Sequence, residues 1–242
     1  MLTLPRIIGH RGAAAAAPEN TLAGIREAHA QGAGWVEVDV KLTRDGVPVL
    51  MHDDRLERTT DGRGAVADVD FADIRRLDAG SWFGPAFAGE PVPTLDELFA
   101  LCAELGLGLN LEIKPCPGRE AETARVAAER AKALWNGRPL LVSSFEEASL
   151  VEVRRVAPDL PLGVLFEDVP AQWRTLAARL RADALNVDGG LETSAIRNYV
   201  DFGRPVLAWT VNEVGRARSL AALGVHGVFS DRPGEMLAGF GG

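Results

Sequence analysis

Residues 35–54 read WVEVDVKLTRDGVPVLMHDD. Two carboxylates, Glu37 and Asp39, alternate with valines there, and His52 follows after an Asp45-Gly46 pair. Strand alternation puts Glu37 and Asp39 on one face, and likewise Glu112 and Lys114 in LNLEIK (109–114). His10 and Arg11 close the apolar stretch RIIGH (6–10). Glu37, Asp39 and Glu112 form an all-oxygen donor set, suited to a hard divalent cation such as Mg2+ or Ca2+. Without a cation, three neighbouring carboxylates repel and raise one another's pKa. His10 and His52 carry side chains that titrate near neutrality, as an acid/base pair needs. Arg11, a planar fork, and Lys114, a compact charge, suit an anionic substrate. A cation, two proton-transfer groups and two positive side chains are the parts of phosphodiester cleavage.

Taken singly, each residue has a plainer reading. Glu112 with Lys114 can be a buried ion pair, Trp209 a core residue, and Asp53 and Asp54 solvated turn carboxylates. His29, on a helix, and His226 read as structural or surface residues. The joint arrangement weighs more, because charged groups at several strand ends are a costly way to build a core.

The elements that must position these groups are short apolar runs separated by helical patterns. Strands are predicted at 6–10, 35–40, 107–114, 140–145, 162–166, 184–188, 206–211 and 225–230. Helices are predicted at 21–31, 94–105, 119–135, 146–156, 170–181, 192–201 and 213–223, with Gly32 and Gly224 at two C-termini. Eight strands alternating with helices fit an α/β fold of the (β/α)8 TIM-barrel type, whose chemistry sits at the carboxyl ends of the strands. VPVLMHD (47–53) stands outside that repeat: KLTRDG is too short for a parallel crossover, so this piece returns antiparallel to the second strand. A two-residue turn at Asp45-Gly46 would set Asp39 opposite His52. Residues of about 46–93 then form a small insertion after strand 2, within a single domain spanning 1–242. An open doubly wound sheet is the competing architecture, but no Gly-rich phosphate loop follows the first strand.

Composition narrows the partners. The 242 residues carry a net charge of −8, which argues against a nucleic-acid surface. Cys102 and Cys116 are too few for a disulfide framework and lack metal-ligand spacing. No apolar run is long enough to span a bilayer and no signal peptide is evident, so a cytoplasmic protein without stable membrane association is expected. Only three of the 26 basic residues are lysines, Lys41, Lys114 and Lys132, which singles each of them out.

The segments GHRGAAAAAPENTLAG, VEVDVKLTRDGVPVLMHDDRLERTTDGRG, GSWFGPAFAGEPVPTLDEL, LNLEIKP, VSSF, LAWTVN and GVHGVFSD resemble, in order, the pattern of the glycerophosphodiester phosphodiesterase family. The resemblance runs from residue 7 to about 233; its most specific pieces are His-Arg-Gly with Pro-Glu-Asn-Thr, the Glu-x-Asp…His-Asp hairpin and Glu-Ile-Lys. It implies a (β/α)8 barrel with a small insertion after strand 2. It also implies His10 and His52 as acid/base pair, a divalent cation on Glu37, Asp39 and Glu112, and phosphate on Arg11 and Lys114. The implied reaction converts a glycerophosphodiester to glycerol 3-phosphate and an alcohol, by a route through a cyclic phosphate. Phe145 and Trp209 would line the glycerol pocket. In the C-terminal motif His226 and Ser230 replace the residues that the family more often shows. Two alternatives stand beside this reading: action on lysophospholipids or another lipid-linked diester, for which GSWFGPAF is the one exposed-looking aromatic patch, and a barrel that binds phosphodiesters without turnover.

Overall fold

The computed structural model describes residues 3–135 and 137–240. In chain order the elements are β1 (Ile7–Gly9), α1 (Leu22–Ala30), β2 (Trp35–Leu42), β3 (Pro48–Leu50), α2 (Phe71–Ile74), α3 (Leu95–Leu105), β4 (Gly108–Ile113), α4 (Glu120–Leu134), β5 (Leu140–Ser144) and α5 (Glu147–Val156). The chain continues through β6 (Leu162–Phe166), α6 (Trp173–Arg179), β7 (Ala184–Asp188), α7 (Thr193–Val200), β8 (Val206–Trp209), α8 (Val214–Ala222), β9 (Gly227–Ser230) and α9 (Pro233–Phe240). Eight parallel strands run in the order β1-β9-β8-β7-β6-β5-β4-β2, and β1 pairs with β2 to close the ring. This is the expected (β/α)8 barrel. Its eighth helix is α9, which the apolar periodicity did not reveal because the glycines in PGEMLAGF break the helical pattern.

β2 explains where the insertion attaches. It spans eight residues against three in β1, which meets it only at Val36. The far half of β2 therefore has a free edge on the β1 side, and β3 fills it antiparallel through Val40–Leu50, Lys41–Val49 and Leu42–Pro48. The turn is one residue longer than predicted. Thr43 accepts from the Gly46 amide and pairs with Val47, while Gly46 adopts φ 82°, the left-handed residue that closes a three-residue loop. That extra residue shifts the register, so the expected pairing of Asp39 with His52 does not form. Met51 stands beside Asp39 instead, its amide donating to the Asp39 carbonyl at 3.0 Å. His52 lies just beyond, in the loop that leaves the sheet.

The insertion has its own small core, in which Val49, Met51, Leu56, Val66, Ile74, Val92 and Cys116 are buried together. The barrel's main core lies between strands and helices, built from residues such as Val36, Val38 and Val40 of β2 against Leu98, Cys102 and Ala124. Cys102 and Cys116 are both free and buried. Inside the ring the bottom is apolar, with Ile8, Trp35, Leu141, Leu207 and Phe229 packed together. A hydrogen-bonded layer of Asn110, Ser143 and Asn186 also lies within, all three fully buried.

Candidate active site

Register places the charges. β2 and β4 align Glu37 with Asn110 and Asp39 with Glu112, and in-register parallel neighbours project to the same side of a sheet. Since Val36, Val38 and Val40 face the helices, Glu37, Asp39 and Lys41 face the barrel axis, as do Asn110, Glu112 and Lys114. Glu37, Asp39 and Glu112 offer oxygens that all lie within 4.8 Å of one another, and all three residues are buried.

This crowding fits a cation. Burial, then the charges of Asp39 and Glu112, push the Glu37 carboxyl well above its ordinary range. Burial and Asp39 likewise push Glu112 up to about 7. Burial works on Asp39 in the same direction, but Arg11 and Lys114 outweigh it and hold Asp39 below the usual carboxylate range. Glu37 Oε1 has no hydrogen-bond partner in the protein, an expensive state for a buried oxygen unless something positive meets it.

The histidines come from the two segments flanking β2 on its β1 side. Pairing of Gly9 with Ser230 sets the β1 and β9 ends side by side, so His10 Nδ1 reaches Asp231 Oδ1 at 2.7 Å. His10 Nε2 then lies 3.9 Å from Glu37 Oε2. His52 Nδ1 lies 2.7 Å from Asp53 Oδ1. In both rings a carboxylate at Nδ1 favours the proton there, leaving Nε2 free to exchange one. Burial holds His52 below the usual imidazole range, against the opposing pull of Asp39.

Arg11 sits in a left-handed turn (φ 51°), followed by Gly12, where an added Cβ would fall 2.6 Å from the backbone of Gly24. That turn aims the Arg11 amide at Glu37 Oε2, 2.9 Å away, and its guanidinium at Glu19, 2.8 Å away. Lys114 Nζ donates to Glu112 at 2.9 Å, lies 3.8 Å from Asp39, and sits 5.3 Å from the Phe145 ring centroid. Phe145 meets Trp209 edge-to-face at 5.4 Å.

These groups face one cavity of about 800 Å³ at the carboxyl ends of the strands; His10, Arg11, Glu37, His52, Glu112, Lys114, Phe145 and Trp209 all line it. Asp39 completes the acidic trio and is held from behind by Asn20, through Nδ2 at 2.8 Å and through its own amide at 3.0 Å. Among the described residues, five buried side-chain polar atoms make no hydrogen bond, and four of them belong to residues lining this cavity: Arg11 Nε, which is ion-paired with Asp39 Oδ2 at 3.4 Å, Glu37 Oε1, Asn186 Oδ1 and Trp209 Nε1. Residues with polar atoms left unsatisfied gather around this hollow, a lining suited to a polar ligand.

The chain matches the glycerophosphoryl diester phosphodiesterase family over residues 10–235. It is a member of that family. As such it is a phosphoric diester hydrolase. It is 34% identical over 241 residues to a glycerophosphodiester phosphodiesterase of Caldanaerobacter subterraneus subsp. tengcongensis, with 96% of each chain covered. A Bacillus subtilis glycerophosphodiester phosphodiesterase is 33% identical over 247 residues, covering 93% of this chain and 83% of the relative. Among solved structures, an Oleispira antarctica phosphodiesterase in complex with the product sn-glycerol-3-phosphate is similar at TM-score 0.95 and 38% identity, covering 99% of this chain and 98% of that one.

Several partners of the site in this family member were not legible from residue type and spacing. Asp53 and Asp54 do not simply solvate a turn: Asp53 anchors His52, and Asp54 accepts from the buried Lys41 at 2.7 Å. Lys41 also donates to the Lys114 carbonyl at 2.8 Å, so two of the three scarce lysines belong to the site. The third, Lys132, donates to the Val156 carbonyl on the surface. Asp231 is shared between His10 and Asn212. His226 bonds the Leu4 carbonyl and His29 is exposed, as their plainer readings require. Trp209 both packs on the apolar interior and lines the cavity.

Proposed function

We propose that this chain hydrolyses glycerophosphodiesters to glycerol 3-phosphate and an alcohol, with a divalent cation, Mg2+ or Ca2+, held by Glu37, Asp39 and Glu112. The observation that carries the reading is the acidic trio, of which Glu37 and Glu112 line the same cavity as two imidazoles that are each tethered through Nδ1 to a carboxylate. When bound, the cation would neutralise phosphate charge and polarise the P–O bonds. The remaining steps belong to the chain's own side chains.

Arg11 and Lys114 hold the phosphate, and Phe145 and Trp209 border the glycerol. His52, neutral at working pH, accepts the proton of the glycerol 2-hydroxyl as its oxygen bonds to phosphorus. The bond to the alcohol breaks, and protonated His10 gives that oxygen its proton. Water then opens the cyclic phosphate with the roles reversed: His10 takes a proton from water and His52 returns one to the 2-oxygen. Neither proton is created or lost over the cycle.

The reaction runs within one domain of which the insertion is a part, and the expected partners are small molecules. Among the described residues no helix is long and apolar enough to cross a membrane. We place the protein in the cytoplasm and expect no nucleic-acid partner.

The deciding assay offers purified protein a panel of glycerophosphodiesters and lysophospholipids, with and without EDTA, and reads the released alcohol together with glycerol 3-phosphate from the former or acylated glycerol phosphate from the latter. Metal-dependent release from the water-soluble diesters supports the proposal. Preference for lysophospholipids would move the substrate to lipids and give Trp82, 41% exposed on the insertion, a role at their surface. Chelator-insensitive turnover would remove the cation from the reading.

A further inference from the structure

Arg58 belongs to the insertion and touches neither the acidic trio nor either proposed proton-transfer ring, yet its guanidinium is bonded on both sides. Nε and Nη2 donate to the two oxygens of Asp53 at 2.7 and 2.9 Å, while Nη1 and Nη2 donate to the two oxygens of Glu19, both at 2.7 Å. Each carboxylate has a second client. Glu19 Oε1 accepts from Arg11 at 2.8 Å, and Asp53 Oδ1 bonds His52 Nδ1 at 2.7 Å. The result is a continuous chain, Arg11–Glu19–Arg58–Asp53–His52, that crosses from the segment after β1 to the segment after β3. Its centre is firmly mounted: Leu56, Thr59 and Thr60 around Arg58 are buried, and the Thr60 amide and hydroxyl both bond the Leu56 carbonyl.

We propose that Arg58 is a positioning residue for the phosphodiesterase reaction, locking Arg11 and His52 into one rigid unit and cancelling the carboxylate charge behind each. The inference rests on the roles given to Arg11 and His52 above. A planar guanidinium can be bidentate to two carboxylates at once; an ammonium cannot. Without it, Glu19 and Asp53 are left as facing negative charges. Glu19 then competes with the phosphate for Arg11, and the Asp53 charge acts on His52 uncompensated. The other charged groups around His52 are Asp39 from β2, Arg11 and Glu19 from the segment after β1, and Lys114 after β4. Replacing Arg58 strips the compensating charge from Asp53 and Glu19 alike, so the balance at His52 shifts toward the protonated ring. The Asp53 carboxyl is itself held far below its usual range, first by the Arg58 hydrogen bond, as this arrangement requires.

The test measures kcat, KM and the pH dependence of kcat/KM on glycerophosphocholine with saturating Mg2+, for wild type, Arg58→Met, Arg58→Lys and the double variant Arg58→Met/Asp53→Asn, alongside thermal melts. Arg58→Met is expected to lower kcat about 10–100-fold, the scale of a small misplacement of catalytic groups, and to move the acidic limb to higher pH. Arg58→Lys should recover only part of kcat. In the double variant the limb should return toward the wild-type position, because the uncompensated charge is gone. Wild-type kcat and an unmoved limb in Arg58→Met would overturn the proposal, and so would a loss of activity that simply follows a fall in melting temperature with the limb unmoved. If Arg58→Met does not fold, the limb of the double variant or of Arg58→Lys decides. Full activity in His52→Ala would instead refute the parent reading of the site, and is measured in parallel.

Discussion

His52 Nδ1 and Asp53 Oδ1 lie 2.7 Å apart although the two residues are neighbours in the chain. Adjacent residues in a strand point to opposite faces, so this contact exists only because the strand has already ended at Leu50 and the loop turns the two side chains together. Burial keeps the ring neutral although this tether pulls the other way, and the ring lines the cavity. His52→Ala should therefore lower kcat by about 10²–10⁴-fold, the usual worth of a positioned proton-transfer group. The protein should stay folded by circular dichroism. Turnover within a few-fold of wild type would sink the role.

The same ring predicts a pH profile. A base is active when deprotonated, and the folded pKa of His52 lies below the ordinary value. The acidic limb of kcat/KM should thus fall at a pH below about 6.5, the unperturbed imidazole value. A limb centred above pH 7 would point to another base.

Glu112→Gln keeps the shape of the trio and removes one charge. It should weaken cation affinity, so that activity returns as Mg2+ or Ca2+ is raised well above the wild-type requirement. Titration of activity against cation concentration reads this directly, and loss without rescue at any concentration contradicts a ligand role.

The cation should also stabilise the fold in a pH-dependent way. Glu112 titrates at about 7 in the folded protein and near about 4.3 when unfolded. Between these values the native state holds the extra proton, so stability of the cation-free protein falls as pH rises through that window. A cation substitutes for the proton, and so its melting-temperature increment should be larger at pH 8 than at pH 5.5. An equal or smaller increment at pH 8 would mean that the cation binds elsewhere.

Lys41→Met removes a buried ammonium whose partners are Asp54 and the Lys114 carbonyl. Leaving that carbonyl unpaired should cost about 1–3 kcal/mol in denaturant unfolding. KM should rise as Lys114 loosens. An unchanged midpoint would show that water replaces the ammonium without loss.

Much of this site could be read along the chain because its parts are local. Alternation fixes that Glu37 and Asp39 share a face, and KLTRDG is too short to permit anything but an antiparallel return. The register of that return was not legible, because an Asp-Gly pair serves both a two-residue turn and a three-residue loop with Gly46 left-handed; only the structure chose the latter.

By itself the sequence determined the alternation of strands and helices, the identity of the charged residues and the strand ends they occupy. Those follow from side-chain periodicity and turn chemistry within a few tens of residues. Closure of the barrel decided the rest. Pairing of β1 with β9 brings Asp231 to His10, and alignment of β2 with β4 sets Glu112 beside Asp39. The docked insertion carries Arg58 to Glu19. Such contacts depend on which strands meet and in what register, a property of the closed ring that no local pattern encodes.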